Sequence, residues 1–220
     1  METLLLDMDG TLLDLRFDNH FWVQYLPRRY SEIHGVDADH AHQHVETSLR
    51  AWEGTMQWYC VDHWSDHFQV DIMALKQEVL HLVRYRDGVK EFLERLPETG
   101  VTAYLVTDAH PEVLALKQSL TGVHDNVHAA YSSHHLGAPK RHKAFWEAFG
   151  SEVSFEPGRA MMIDDSPHVL DQSRSFGIGH QLCVYQPDSG TEQEHGHEFA
   201  LINDLRDLLP PRAPGPDNPA

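Results

Sequence analysis

The sequence predicts an α/β protein, a doubly wound and mostly parallel sheet interrupted after its first strand by an all-helical insertion. Three observations carry this expectation. Short apolar runs that end in an acid or hydroxyl residue recur at residues 4–6 before Asp7, 103–106 before Thr107 and 160–163 before Asp164. Such runs are the mark of strands buried on both faces. Helical periodicity separates the runs, and between about residues 15 and 84 only helical spacing remains.

Taken in chain order, the first run leads into DMDGT, where Gly10 permits a sharp turn. The insertion follows. Within it, Val45, Leu49, Trp52 and Met56 share one helical face, as do Ile72, Leu75, Val79 and Leu82. Its position directly after the first strand's loop lets it fold over whatever that loop binds, and its aromatic residues read as its own core. Next, Val89, Phe92, Leu93 and Leu96 define a helix, and Pro111 opens another that closes near Gly122. Residues 127–131 and 181–185 are weaker strands, giving about five in all, and Pro167 and Gly177 bracket a further helix. Phe199, Ile202, Leu205 and Leu209 suggest a last amphipathic helix, before a Pro-rich tail, PPRAPGPDNPA, expected to be disordered. The expected division is a discontinuous Rossmann-like core at 1–14 and 85–209, a helical cap at 15–84 and a tail at 210–220.

Composition narrows the function. A chain of 220 residues, 41% apolar, can bury one core with a smaller insertion. Seventeen Lys and Arg against 34 Asp and Glu leave a net charge of -17, which repels polyanions and argues against a nucleic-acid polymer as partner. The 18 His are scattered without the paired spacing of a zinc site and read as solvated or structural. Two cysteines, Cys60 and Cys183, form no disulfide framework and suit a reducing compartment. METLLLDMDG is not a secretory signal, and no apolar run approaches membrane-spanning length, so the expected location is the cytoplasm.

In open parallel sheets, ligands bind outside the carboxyl ends of the strands. The polar residues that end the three best strands, Asp7, Asp9, Thr107, Asp164 and Asp165, are therefore expected in one crevice. Clustered carboxylates repel one another, and a divalent cation with oxygen ligands, such as magnesium, neutralises them.

The motifs at these positions resemble those of the haloacid dehalogenase (HAD) superfamily. LLLDMDGTLL resembles its first signature, YLVTD with Thr107 the second, Lys140 in GAPKRHKAF the third, and MMIDDSP with Asp164 and Asp165 the fourth. The resemblance implies that Asp7 is the nucleophile that accepts a phosphoryl group. Asp9 would act as general acid and base and lend its backbone carbonyl to the metal. Thr107 and Lys140 would hold phosphoryl oxygens, Lys140 being favoured over Lys143 by its context. Asp165 would ligate Mg2+ directly, with Asp164 binding through water or orienting the ligands.

A cap between the first two signatures implies a small phosphorylated metabolite as substrate. Residues 1–30, with LLLDMDGTLLDLRFDNHFW and LPRRY, are similar to the bacterial GMP/IMP 5'-nucleotidases of that superfamily. A purine mononucleotide would stack on Trp22 or Phe21 and meet Arg16, Arg28 or Arg29. Asp108 stands where that group is expected to carry Asn. Sugar-phosphate or phosphoglycolate phosphatases and phosphomutases share the core residues and stay open, as does, more remotely, a non-catalytic phosphate-binding module. Asp9 argues against a dehalogenase. Lys76, the insertion's lone lysine, reads as a solvated residue rather than an imine-forming one. The chain is expected to be a monomer or homodimer.

Overall fold

The computed structural model describes residues 1–191 and 198–211. Its strands are β1 (Thr3–Leu6), β2 (Thr102–Thr107), β3 (Ala129–Ser132), β4 (Ala160–Asp164), β5 (His180–Val184) and β6 (Ala200–Ile202). They form one sheet in the order β3-β2-β1-β4-β5-β6, and each pairing is parallel. β1 is central and wholly buried, which is why its sequence is uninterrupted TLLL rather than alternating. Leu6 lies opposite Leu105 on one side and Ile163 on the other. The residues that follow each strand therefore emerge together at one edge of the sheet.

The helices are α1 (Arg16–His20), α2 (Leu26–His34), α3 (Ala38–Trp52), α4 (Val61–Phe68), α5 (Ile72–Gln77), α6 (Val89–Arg95), α7 (Pro111–Thr121), α8 (Ser133–Leu136), α9 (Lys143–Glu152) and α10 (Pro167–Phe176). A π-helical turn, Phe21–Tyr25, joins α1 to α2. The strand pleat sends alternate residues to opposite faces. Leu4, Leu6, Leu105 and Ile163 pack with Val89, Phe92 and Leu93 of α6. Leu5, Val106 and Met162 pack with Phe145, Trp146 and Phe149 of α9 and with Leu170 of α10.

The stretch from α1 to α5 contains no strand, and its apolar residues build a third cluster around Phe17, Phe21, Trp64, Phe68 and Ile72. Trp64 and Phe68 stack at 5.3 Å between centroids. Val113 of α7 joins this cluster, so the inserted helices rest on the sheet layer. Among the described residues no helix is long and apolar enough to cross a membrane.

Three expectations are corrected. The helix through Val45 and Leu49 stops at Trp52, because Glu53 turns extended and Gly54 adopts a φ of +78°, so Met56 lies beyond it. The helical face from Ile72 to Leu82 breaks after Gln77 and resumes as a short 3-10 turn, Leu80–Leu82. The expected last helix is instead β6, pairing with β5, followed by a 3-10 turn, Leu205–Leu208. The extended backbone carries Phe199 to one face of the sheet and Ile202 to the other, where Leu205 of the 3-10 turn also packs, which buries these apolar residues while hydrogen-bonding the sheet edge. The sheet thus has six strands rather than five. The expected tail from residue 210 falls, from residue 212 on, outside the described residues.

Candidate active site

Asp7 directly follows β1, and its amide donates to the carbonyl of Ile163 at 3.0 Å, fixing the carboxylate between β2 and β4. The chain then turns through Gly10 at a φ of +86°. A Cβ there would lie 2.6 Å from Asp165 Oδ2, so only glycine lets the Asp9–Gly10 loop and Asp165 approach this closely.

Lys140 is the fully buried cation of the site. Its Nζ donates to Asp7 Oδ1 and, at 2.7 Å, to Asp164 Oδ2. Its backbone is held as well: the amide donates to Asp108 Oδ1 at 2.9 Å, and its carbonyl accepts from Trp146 Nε1 at 2.7 Å. Thus Asp108, at the position where Asn was expected, acts as an acceptor that positions the lysine loop. Burial raises its carboxyl above the ordinary range despite Lys140. Thr107 is 1% exposed, and its hydroxyl accepts from the amide of Ala109 at 3.0 Å. Lys143, the rival lysine, is exposed and paired with Glu147 at 2.6 Å.

One carboxylate oxygen from each of Asp7, Asp164 and Asp165 lies within 4.8 Å of the others. Three carboxylates against one Lys140 ammonium leave an excess of negative charge on hard oxygen donors, a set suited to a divalent cation. Burial pushes Asp7 up to about 6 in spite of Lys140. Burial, then Asp164 and Asp7, push Asp165 well above the carboxylate range. The trio thus resists carrying its full charge without a cation.

Asp9 anchors a second charged array. Lys117, 1% exposed, donates from Nζ to Asp9 Oδ1 and Asp18 Oδ2, both at 2.6 Å. Lys76 donates to Asp18 Oδ1 at 3.0 Å. Charges therefore alternate from the first loop through α7 to α1 and α5. Burial raises Asp9 to about 6 against the pull of Lys117. Burial opposes the charged form of Asp18 too, but Lys117 and Lys76 together hold it well below its usual value. The solvated reading of Lys76 is overturned. Lys76 is 1% exposed and lies over Phe17, Phe21 and Trp22, with its Nζ 4.4 to 5.1 Å from their ring centroids.

Both arrays open into one cavity of about 490 Å³, within the size range of small-molecule sites. Its polar end holds Asp7, Asp9, Thr107, Asp108, Lys140, Asp164 and Asp165, and its far wall is Trp22, Val23, Leu49, Trp58 and Val61 of the insertion. Of the expected substrate-binding arginines, none lines it. Arg28 faces a separate hollow beside Tyr25 and Glu78, Arg29 pairs with Glu32 and Glu78, and the Arg16 guanidinium covers Gly190. Phe21 is buried in the insertion's core. Arg141, next to Lys140, is the guanidinium that does line the cavity. Sequence reasoning also missed Asp18, Lys76, Lys117, Tyr59 and His110. Arg141 was legible as the neighbour of a motif lysine. The others lie in helices and loops whose approach to Asp9 or to the cavity no local pattern encodes.

Residues 1–170 match the family model described as haloacid dehalogenase-like hydrolase. The chain is 36% identical over 210 residues to the GMP/IMP nucleotidase YrfG of Escherichia coli K12 and to that of Shigella flexneri, covering 96% of this chain and 95% of each relative. Among solved structures, a HAD phosphatase from Thermococcus onnurineus superposes with a TM-score of 0.76 at 23% identity, covering 94% of this chain and 96% of that one. L-2-haloacid dehalogenase from Xanthobacter autotrophicus superposes at 0.63 and 13% identity, with the same coverages. These two show the shared fold. With the match of the family model over most of its length, the chain belongs to the haloacid dehalogenase-like hydrolases, as an enzyme of the phosphoric monoester hydrolase class.

Proposed function

We propose that this hydrolase removes the 5'-phosphate of purine mononucleotides of the GMP and IMP type, with magnesium as its metal. The observation that carries the proposal is the two-ended cavity, with carboxylates and Lys140 at one end and Trp22, Trp58 and apolar side chains at the other. The near full-length similarity to GMP/IMP nucleotidases supports it. Residues 15–84 are, on this reading, a cap that closes the cavity from water.

Asp7 attacks phosphorus in line and forms an aspartyl phosphate, while the alkoxide of the leaving nucleoside takes a proton from Asp9. Asp9 then removes a proton from the water that cleaves the intermediate, releasing inorganic phosphate and regenerating Asp7. Lys140 and the Thr107 hydroxyl hold the non-bridging oxygens as charge spreads over them. Lys117 keeps the Asp9 carboxyl aimed at the leaving oxygen. Asp7, Asp164, Asp165 and the Asp9 carbonyl would hold Mg2+, which when bound supplies the positive charge that lets two anions approach. Trp22 and Trp58 offer faces for the base.

The test is kcat/KM with magnesium for IMP, GMP, AMP, a hexose phosphate and phosphoglycolate. A preference for IMP and GMP is expected. Equal or better turnover of the sugar phosphate or phosphoglycolate would remove the nucleotidase reading while leaving the catalytic residues in place.

A further inference from the structure

We propose that Cys60, His110 and His134 form a binding site for one transition-metal ion of the zinc class, separate from the carboxylate trio and tying the inserted helices to the loops at the sheet's edge. One ligand atom from each residue lies within 4.8 Å of the other two. The three come from different parts of the fold. Cys60 immediately precedes α4 in the insertion, His110 precedes α7 after β2, and His134 lies in α8 after β3.

A second observation is independent of that clustering. Both ring nitrogens of His134 are buried and have no hydrogen-bond partner. A buried donor and acceptor left unpaired in this way are uncompensated, and a metal on either nitrogen would satisfy one of them. The His134 ring stands edge-on to that of His110, with centroids 4.8 Å apart. Asp62 Oδ2 lies 3.7 Å from His110 Nε2 and is exposed, free to serve as a fourth ligand or to hold a ligand water.

A thiolate with two imidazoles is a soft to borderline donor set, which magnesium does not favour and zinc does. Tetrahedral ligation at zinc bond lengths places donor atoms ~3.5 Å apart, so side-chain rotations closing about an ångström complete the site. Burial, with His110 beside it, lowers His134 to about 4, so near neutral pH its imidazole is already unprotonated. Binding releases one proton to solvent, from the Cys60 thiol. If the metal takes His110 Nε2, that ring's proton moves to Nδ1. The ring then gives up its contact with the Glu112 amide, already stretched to 3.4 Å. Since Tyr59 and His110 line the active-site cavity, an ion here fixes one wall of it.

Titrating the full chain with Co2+ in excess Mg2+, which fills the carboxylate trio, tests the site. A thiolate-to-cobalt charge-transfer band is expected to saturate at one ion per chain, to be lost on adding Zn2+, and to persist in Asp165→Asn. Cys60→Ser should abolish the band, and His134→Gln should weaken Co2+ affinity by roughly tenfold or more. Metal-free melting of both variants controls for folding. Absence of the band in the wild type overturns the site. So does its survival in Cys60→Ser, or an affinity unaltered in His134→Gln.

Discussion

Replacing Lys117 with Met removes the cation that pairs with Asp9 among the described residues while keeping much of the side chain's length and its apolar stem. At an effective dielectric of about 20, charges 2.6 Å apart attract by roughly 6 kcal/mol, and Lys117 makes two such pairs. Most of that attraction is offset by stripping water from three buried ions. What matters is what remains in the variant: Asp9, its side chain 22% exposed, is left without that counter-ion, and Asp18 keeps Lys76. Removing one partner of a buried pair costs about 3–5 kcal/mol. In a chain of 220 residues that corresponds to a fall in Tm of about 10 °C, at roughly 2–4 °C per kcal/mol. The assay is thermal and urea unfolding at pH 7 of Lys117→Met, Asp18→Asn and the double variant. The double variant should be less destabilised than the sum of the singles by about 1–3 kcal/mol, because the charges are coupled. A Tm change under about 2 °C for Lys117→Met, or strict additivity, would refute the buried array as a source of stability.

Three further outcomes are expected. Gly10→Ala should lose most activity and weaken Mg2+ binding, because its Cβ would press on Asp165 at 2.6 Å; the positive φ adds about 1–2 kcal/mol of strain, and unchanged Mg2+ affinity by calorimetry contradicts this. Because His134 titrates near 4 in the folded chain against an ordinary 6.5, the unfolded chain takes up the proton first, so stability falls as pH drops from about 6.5 towards 4. In chelator, His134→Gln should flatten that part of the Tm profile, and an identical slope counts against it. Trp22→Ala should raise KM for IMP about tenfold with kcat little changed, whereas Arg28→Ala, outside the cavity, leaves both within about twofold; the reverse pattern in steady-state kinetics would return the arginines to the site.

The sheet was legible because strands buried on both faces must be continuously apolar, and because each ends in a residue unlike its body: Leu6 then Asp7, Val106 then Thr107, Ile163 then Asp164. The carboxyl-edge rule then brought distant acids together without any contact information. Where the sequence misled, short-range pattern met a tertiary demand. Phe199, Ile202 and Leu205 carry a spacing that suits a helix, yet the free edge of β5 offered backbone hydrogen bonds, and a short strand followed by a 3-10 turn buried the same side chains. Lys76 sits among apolar helix residues, and nothing local reveals that Asp18 and three aromatic rings wait to receive its ammonium. Arg28 and Arg29 occupy the outer side of α2, an orientation set by how the inserted helices pack, and so the pairing with Glu32 and Glu78 could not be foreseen. The Cys60, His110 and His134 group is hidden for the same reason: its spacing in the chain is unlike a zinc motif, and only the fold assembles it.

The most direct test of the account is to trap the phosphoryl group on Asp7. Enzyme quenched during turnover of IMP is reduced with borohydride, which converts an aspartyl phosphate to homoserine, and the peptide containing residue 7 is read by mass spectrometry. Modification confined to position 7 is expected, and lost in Asp7→Asn; with p-nitrophenyl phosphate, whose leaving group needs no acid, it should be increased in Asp9→Asn, where the water lacks its base. No modification at position 7 in the wild type with IMP and none in Asp9→Asn with p-nitrophenyl phosphate, while both proteins still fold and bind Mg2+, would contradict nucleophilic catalysis by Asp7.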